Sequence, residues 1–95
     1  MKELSFDAFY QLYQKEPLSV LDVREVDEFE ALHLEGDQNL PLSQLADTYE
    51  QLDKDHLHYV ICKSGIRSAR ACQFLEEHGY KVINVQGGMT AFENL

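Results

Sequence analysis

Hydrophobic residues follow two different spacings along the chain, one typical of buried strands and the other typical of helices. Three short, largely apolar runs predict strands at residues 18–23, 57–61 and 81–85. Residues 39–41 predict a fourth, very short strand. The segments between these runs carry apolar residues every three or four positions, which is the pattern of amphipathic helices.

Five helices are predicted from this spacing. Ser5 is placed to cap the first, which ends before Pro17 because proline interrupts a helix. The clearest helix runs from Arg67 to His78, with one apolar stripe and Gly79 as its stop signal. The other helical segments are residues 26–32, 42–52 and 89–95.

Strands that alternate with helices indicate an α/β fold, with a mainly parallel central sheet and helices on both faces. Sheets of this kind bind ligands just beyond the carboxyl ends of their strands. Three loops leave such ends here, namely residues 22–25, 62–67 and 86–88. We therefore expect the functional site in these three segments.

Composition narrows the type of protein. Ninety-five residues, 44% of them hydrophobic, fit one compact domain over residues 1–95. The net charge of −9 disfavours nucleic acid as a partner, and no apolar run approaches the length of a membrane span. Two cysteines, and a polar N-terminus without a signal-peptide pattern, predict a cytoplasmic protein.

Acidic residues are unevenly distributed along the chain. None of the 17 lies between His56 and Leu75, whereas Lys63, Arg67 and Arg70 do lie there. A solvated helix face would account for this charge pattern on its own. The window gains interest because Cys62 lies within it.

Cys62 ends a predicted strand and is followed by a short loop with Gly65 and then by a helix. Loop N–H groups, the positive end of the helix dipole and nearby cations would all favour its thiolate form. A buried structural cysteine is the alternative. The acid-free window, the glycine and the two arginines favour a nucleophile, which would attack a sulfane sulfur and hold it as a persulfide.

Residues 62–68 read Cys-Lys-Ser-Gly-Ile-Arg-Ser, and with this loop the chain resembles the single-domain rhodaneses, a family of sulfurtransferases. Three further signatures of the family occur in order, at residues 21–25, 33–41 and 87–92. Two departures concern loop shape and packing: residues 32–37 differ from the usual Gly-His-Ile-Pro-Gly-Ala, and a phenylalanine replaces a usual tryptophan. The implied fold is the rhodanese-like α/β fold.

The resemblance also implies roles within this loop. Cys62 would be the nucleophile that carries the persulfide. The substrate-binding residues would be Lys63, Ser64, Gly65, Ile66, Arg67 and Ser68. The amides of residues 63–67 would cradle the sulfur, and Arg67 would pair with a small anionic donor such as thiosulfate.

Residues outside this set have two interpretations each. Asp22 and Arg24 would brace the loop from the neighbouring strand end, or would form a plain surface ion pair. Lys63 and Arg70 would attract the anion, or would simply be solvated.

No cofactor and no metal is implied. Cys72 lies roughly 9 Å along the helix, too far for a disulfide with the catalytic cysteine, and is predicted to fill the core.

The leading functional hypothesis is a sulfurtransferase that moves sulfane sulfur from thiosulfate or a persulfide to a thiol or cyanide. A protein sulfur donor or acceptor is a second type of partner. The main alternative is a non-enzymatic persulfide carrier or interaction module that a partner protein supplies with sulfur. A phosphatase is disfavoured, because only four residues separate Cys62 from Arg67 where phosphatases have five.

Overall fold

A computed structural model describes residues 1–95, and its centre is a five-stranded sheet. The strands are β1 (Lys2–Ser5), β2 (Ser19–Asp22), β3 (Gln38–Asn39), β4 (Leu57–Ile61) and β5 (Lys81–Gln86). They lie in the order β1-β5-β4-β2-β3, and every neighbouring pair is parallel. The predicted α/β class with a parallel sheet is confirmed.

Five helices accompany these strands: α1 (Phe6–Lys15), α2 (Val26–Ala31), α3 (Leu45–Thr48), α4 (Ile66–Glu77) and α5 (Gly88–Glu93). The segment predicted as one helix over residues 42–52 is broken, because 3-10 turns precede and follow α3. The predicted cap of α1 is confirmed, since the Ser5 hydroxyl accepts a hydrogen bond from the Ala8 N–H at 3.2 Å. No helix is both long and apolar enough to span a bilayer.

Helices cover both faces of the sheet, and each face has its own apolar cluster. On the face covered by α1 and α5, the buried residues are Phe6, Phe9, Val20, Leu34, Tyr59, Ile61, Val85 and Met89. On the face covered by α3 and α4, they are Leu21, Val23, Leu40, Leu45, Leu52, Val60, Cys62, Ala71, Cys72, Leu75, Tyr80 and Val82. Because successive side chains of a strand point to opposite faces, β2, β4 and β5 contribute to both clusters and appear as apolar runs.

β1 is the part of the sheet that the sequence does not predict. Its four residues, Lys-Glu-Leu-Ser, include one apolar side chain, that of Leu4, which is only partly buried. The strand forms through backbone pairing with β5, from Lys2 opposite Ile83 to Ser5 opposite Gln86. An edge strand whose side chains mostly face solvent has no hydrophobic periodicity, so pattern analysis has nothing to detect.

Asp37, between α2 and β3, is a carboxylate in an unfavourable position. Both of its side-chain oxygens are buried without a hydrogen-bond partner. Burial, and then the negative charge of Asp22, raise the pKa of Asp37 from its ordinary 3.8 to about 6. The Asp37 carboxyl therefore binds its proton more tightly in the folded chain than in the unfolded chain. The free energy of unfolding falls as the pH rises from about 4 to about 6, where the unfolded chain loses this proton more readily.

Asp37→Asn is expected to raise the free energy of unfolding at neutral pH by roughly 1 kcal/mol, less than the full pKa shift because the residue is partly exposed. The gain should vanish below about pH 3, where the aspartate is largely protonated in both states. Chemical denaturation at both pH values measures it, with the exposed Asp47→Asn as matched control. A gain of equal size at both pH values would mean that the asparagine packs or hydrogen-bonds better, and that the charge of Asp37 is not the cause.

Candidate active site

Cys62 directly follows β4, and β4 lies between β2 and β5 in the sheet. The loops that leave these three parallel strands therefore meet at one edge, as the sequence predicts. Cys62 belongs to the core cluster below α4, and only 1% of the residue is exposed. The segment that follows it, residues 62–68, is called the cysteine loop below, and it wraps around the sulfur.

The Sγ atom of Cys62 is surrounded by hydrogen-bond donors of the cysteine loop. The Gly65 N–H donates to it at 3.1 Å, and the Ser68 hydroxyl oxygen lies 3.2 Å away. Burial opposes ionisation of this thiol, but the Ser68 hydroxyl and the N–H groups of Ser68, Gly65 and Ser64 donate hydrogen bonds that lower its pKa. The site thus stabilises the thiolate, which is the reactive form of cysteine.

Gly65 gives the cysteine loop its shape. It has a φ of +103°, a conformation that L side chains rarely adopt, and it directly precedes α4. In this conformation its N–H points at the sulfur, while its C=O accepts from the Ala69 N–H at 3.3 Å. The sulfur therefore lies at the start of a twelve-residue helix, whose dipole also favours negative charge there.

The start of α5 holds the cysteine loop from another side. The Met89 N–H donates to the Cys62 carbonyl and the Thr90 N–H to the Lys63 carbonyl, each at 2.9 Å. Gly88 makes this approach possible, because a Cβ at its position would lie 2.3 Å from the Cys62 carbonyl oxygen. With these two carbonyls bound by α5, the N–H groups of the loop are left to face the sulfur.

Asn84 is a site residue that the sequence interpretation missed. It lies on β5, is 1% exposed, and donates from Nδ2 to the Gly65 carbonyl at 3.2 Å. The same amide donates to Glu3 Oε2 of β1 at 3.0 Å. A signal was present, because Val82 and Asn84 share one face of the strand and a polar residue on a buried face needs a partner. Asn84 fixes the peptide that follows Gly65 and so helps to orient the loop.

Asp22 and Arg24 form a buried ion pair at the end of β2, with side chains that are 0% and 7% exposed. Nε and Nη2 of Arg24 donate to the Asp22 carboxylate at 2.8 to 3.1 Å. Nη2 also donates to the Leu32 carbonyl at 2.6 Å, just after α2. The pair thus fixes α2 against the sheet, and α2 in turn contacts the cysteine loop through Glu28.

Arg24→Leu is expected to lower the free energy of unfolding by about 3 kcal/mol, because it leaves the Asp22 carboxylate buried without its counter-charge. Urea denaturation measures the loss. The double variant Asp22→Asn/Arg24→Leu removes both charges and should recover a large part of it. If the single and the double variant lost the same free energy of unfolding, packing of Arg24 and its contact with Leu32 would stabilise the fold, and the ion pair would not.

Arg67, in the first turn of α4, is already paired within the protein. Its Nη1 and Nη2 donate to Oε1 and Oε2 of Glu28 at 2.7 and 2.9 Å. The hydrogen bonds with Glu28 raise the pKa of Arg67, and those from Arg67 lower the pKa of Glu28 to about 2. The resemblance assigns Arg67 an anionic donor as its partner, whereas the structure pairs it with a carboxylate.

The other side chains of the cysteine loop are directed to solvent. Those of Lys63 and Ser64 are exposed, and Ile66 is 65% exposed. Of the five amides predicted to cradle the sulfur, two act on it, those of Ser64 and Gly65. The amide of Ser68, which was not in that prediction, joins them.

Cys72 and the cavities of the fold lie apart from this chemistry. Both cysteines are free, as predicted, and Cys72 is buried in the core, where burial raises its pKa to about 12. None of the cavities is lined by residues of the cysteine loop. Of the two cysteines, Cys62 is therefore the one whose surroundings favour the thiolate.

Fold and site together define a parallel α/β domain with a thiolate-stabilising loop, and comparison with known proteins assigns its family. The family profile described as the Rhodanese-like domain matches residues 5–95. The chain belongs to the rhodanese-like family.

Individual relatives agree with this assignment. The putative sulfurtransferase YtwF of Bacillus subtilis is 36% identical over 94 residues, which cover 98% of this chain and 91% of YtwF. The thiosulfate sulfurtransferase GlpE of Shewanella oneidensis is 33% identical, with coverage of 96% and 91%. The crystal structure of SSP1007 from Staphylococcus saprophyticus has a TM-score of 0.92 at 29% identity, with coverage of 97% and 93%. These similarities support a sulfurtransferase.

Proposed function

We propose that the protein is a sulfurtransferase that carries sulfane sulfur as a persulfide on Cys62. The observation that carries this proposal is the set of polar groups around Sγ: the Gly65 N–H donates to it at 3.1 Å, and the Ser68 hydroxyl, 3.2 Å away, becomes a donor once the thiol ionises. These donors stabilise negative charge on sulfur, and they equally suit the anionic persulfide that replaces the thiolate. Family membership and the sulfurtransferase relatives support the same reaction.

The proposed reaction has two half-steps. In the first, the Cys62 thiolate attacks the outer sulfur of thiosulfate, the S–S bond of the donor breaks, and sulfite leaves with its electron pair. A persulfide donor reacts in the same way and releases a thiolate. In the second, a thiolate or cyanide attacks the outer sulfur of the persulfide, and Cys62 returns as thiolate. The exchange balances without a further oxidant or reductant.

The partners and location follow from this chemistry. A small anionic donor such as thiosulfate, or a persulfide on another protein, would meet the cysteine loop at the surface. In this proposal residues 63–68 form the substrate-binding loop, in which Glu28 holds the Arg67 side chain, and Asp22 and Arg24 support the loop through α2. Because the reaction needs a reduced thiol and both cysteines are free, we place the protein in a reducing compartment such as the cytoplasm.

Intact-mass measurement of the chain after incubation with thiosulfate tests the proposal. We expect a gain of one sulfur atom, which cyanide then removes as thiocyanate. Steady-state rates with the two substrates should follow ping-pong kinetics, because sulfur passes through a covalent intermediate. If a chain with a reduced thiol gained no sulfur from thiosulfate or from a low-molecular-weight persulfide, the proposal would be wrong. Loading by a protein persulfide alone would instead favour the carrier alternative.

A further inference from the structure

Glu28 of α2 holds the guanidinium of Arg67 beside the cysteine loop. Two hydrogen bonds, at 2.7 and 2.9 Å, join both Nη atoms to both carboxylate oxygens. Such bidentate pairs are strong and have a fixed geometry. Arg67 belongs to the cysteine loop, between Gly65 and Ser68, whose N–H and hydroxyl groups lie 3.1 and 3.2 Å from the Cys62 sulfur. The arginine therefore brings a carboxylate with it to the site.

The Glu28 carboxylate is itself held in place. Its Oε1 accepts the Glu25 N–H at 3.1 Å, as one half of the capping box that starts α2. The Ser43 hydroxyl donates to Glu25 Oε1 at 2.7 Å and steadies this turn. Because the Arg67 hydrogen bonds lower the pKa of Glu28 to about 2, the carboxylate stays ionised wherever the thiolate forms. Arg67 is held to Glu28 rather than free to turn towards a donor.

We propose that Glu28 determines which sulfur donors the site accepts. By pairing with Arg67 it disfavours the dianion thiosulfate relative to donors with one negative charge, namely persulfides of thiols and thiosulfonates. This inference rests on the proposed function, because it concerns the donor that loads the same Cys62 persulfide.

The charges that remain near the loop support this selectivity. Lys63 and Arg70 are exposed and take no part in the ion pairs of the chain. Exposed cations attract an anion only weakly, since water and salt screen them. A second negative charge on the donor therefore meets the Glu28 carboxylate without a free guanidinium to balance it.

Thiosulfonates are useful probes because they differ from thiosulfate mainly in charge. The Cys62 thiolate attacks the sulfane sulfur of methanethiosulfonate, the S–S bond breaks, and methanesulfinate leaves with the electron pair. The protein product is the same persulfide that thiosulfate gives. A difference between the two donors therefore reports on donor charge and not on a different reaction.

Glu28→Gln tests the inference, because it removes the charge while its amide oxygen can still accept the Glu25 N–H. We expect KM to fall roughly fivefold for methanethiosulfonate and roughly 25-fold for thiosulfate, since each unit of donor charge contributes about equally. The kcat values should change little, and the difference between donors should shrink at high salt. Glu30→Gln, the same change at an exposed position of α2, should leave both KM values unchanged.

Several results would overturn the inference. Equal changes of KM for both donors, or no change for either, would show that Glu28 does not discriminate between donors by their charge. A fall in kcat for both donors, with KM unchanged, would assign Glu28 a purely structural role. All of these results differ from failure of the proposed function. In that case neither donor adds sulfur to the wild-type chain, and the inference about Glu28 fails with it.

Discussion

Cys62→Ser is expected to abolish sulfur transfer, with a fall in kcat/KM of roughly 1000-fold or more. A serine hydroxyl does not ionise near neutral pH, and it cannot form a persulfide. The variant should keep its fold, because the oxygen replaces the sulfur at small cost in volume and can still accept the Gly65 N–H. Intact mass before and after incubation with thiosulfate should show no added sulfur.

Cys72→Ala is the matched control for this prediction. Cys72 is the other cysteine of the chain, and burial raises its pKa to about 12, so it supplies almost no thiolate. Its replacement should leave sulfur loading intact. If instead Cys62→Ser still gained one sulfur atom and Cys72→Ala did not, the buried α4 cysteine would be the carrier and the proposed assignment would be reversed.

The strands that the sequence predicts well are those buried on both faces. β2, β4 and β5 each supply side chains to both apolar clusters, so their residues form runs that stand out from the helical spacing. β1 has no such run, and its place at the sheet edge depends on pairing with β5, about eighty residues away, as Lys2 with Ile83. Local pattern carries no information on pairing over such a distance.

In the site, too, contacts between residues close in sequence are predictable, whereas contacts between distant segments are not. The donors to Cys62 lie within six residues of it in sequence, so a short motif was enough to predict the reactive part. The contacts that support the loop join distant segments: Glu28 and Arg67 are 39 residues apart, and Gly65 and Asn84 are 19 apart. An acidic residue in a first helical turn already has a local explanation, so nothing in the pattern indicates that it pairs with an arginine.

Gly88→Ala is expected to lower kcat/KM for sulfur transfer by roughly 100-fold, because the added methyl group displaces the start of α5 from the cysteine loop. The new Cβ would lie 2.3 Å from the Cys62 carbonyl oxygen and 2.7 Å from that of Lys63. Both oxygens belong to the backbone, so they cannot move aside as a flexible side chain would. The hydrogen bonds from Met89 and Thr90 would lengthen, and the loop N–H groups would lose their alignment with the sulfur.

Gly36→Ala is the matched control, because it separates this clash from backbone strain. Gly36 also has a positive φ, +84° against +51° for Gly88, yet a Cβ there would meet nothing within 4 Å. Gly36→Ala should cost about 1 kcal/mol of stability and leave the transfer rate unchanged. Thiolate absorbance during a pH titration reports the pKa of Cys62, which should rise in Gly88→Ala alone. An unchanged pKa and rate in Gly88→Ala would mean that the loop orients its donors without help from α5.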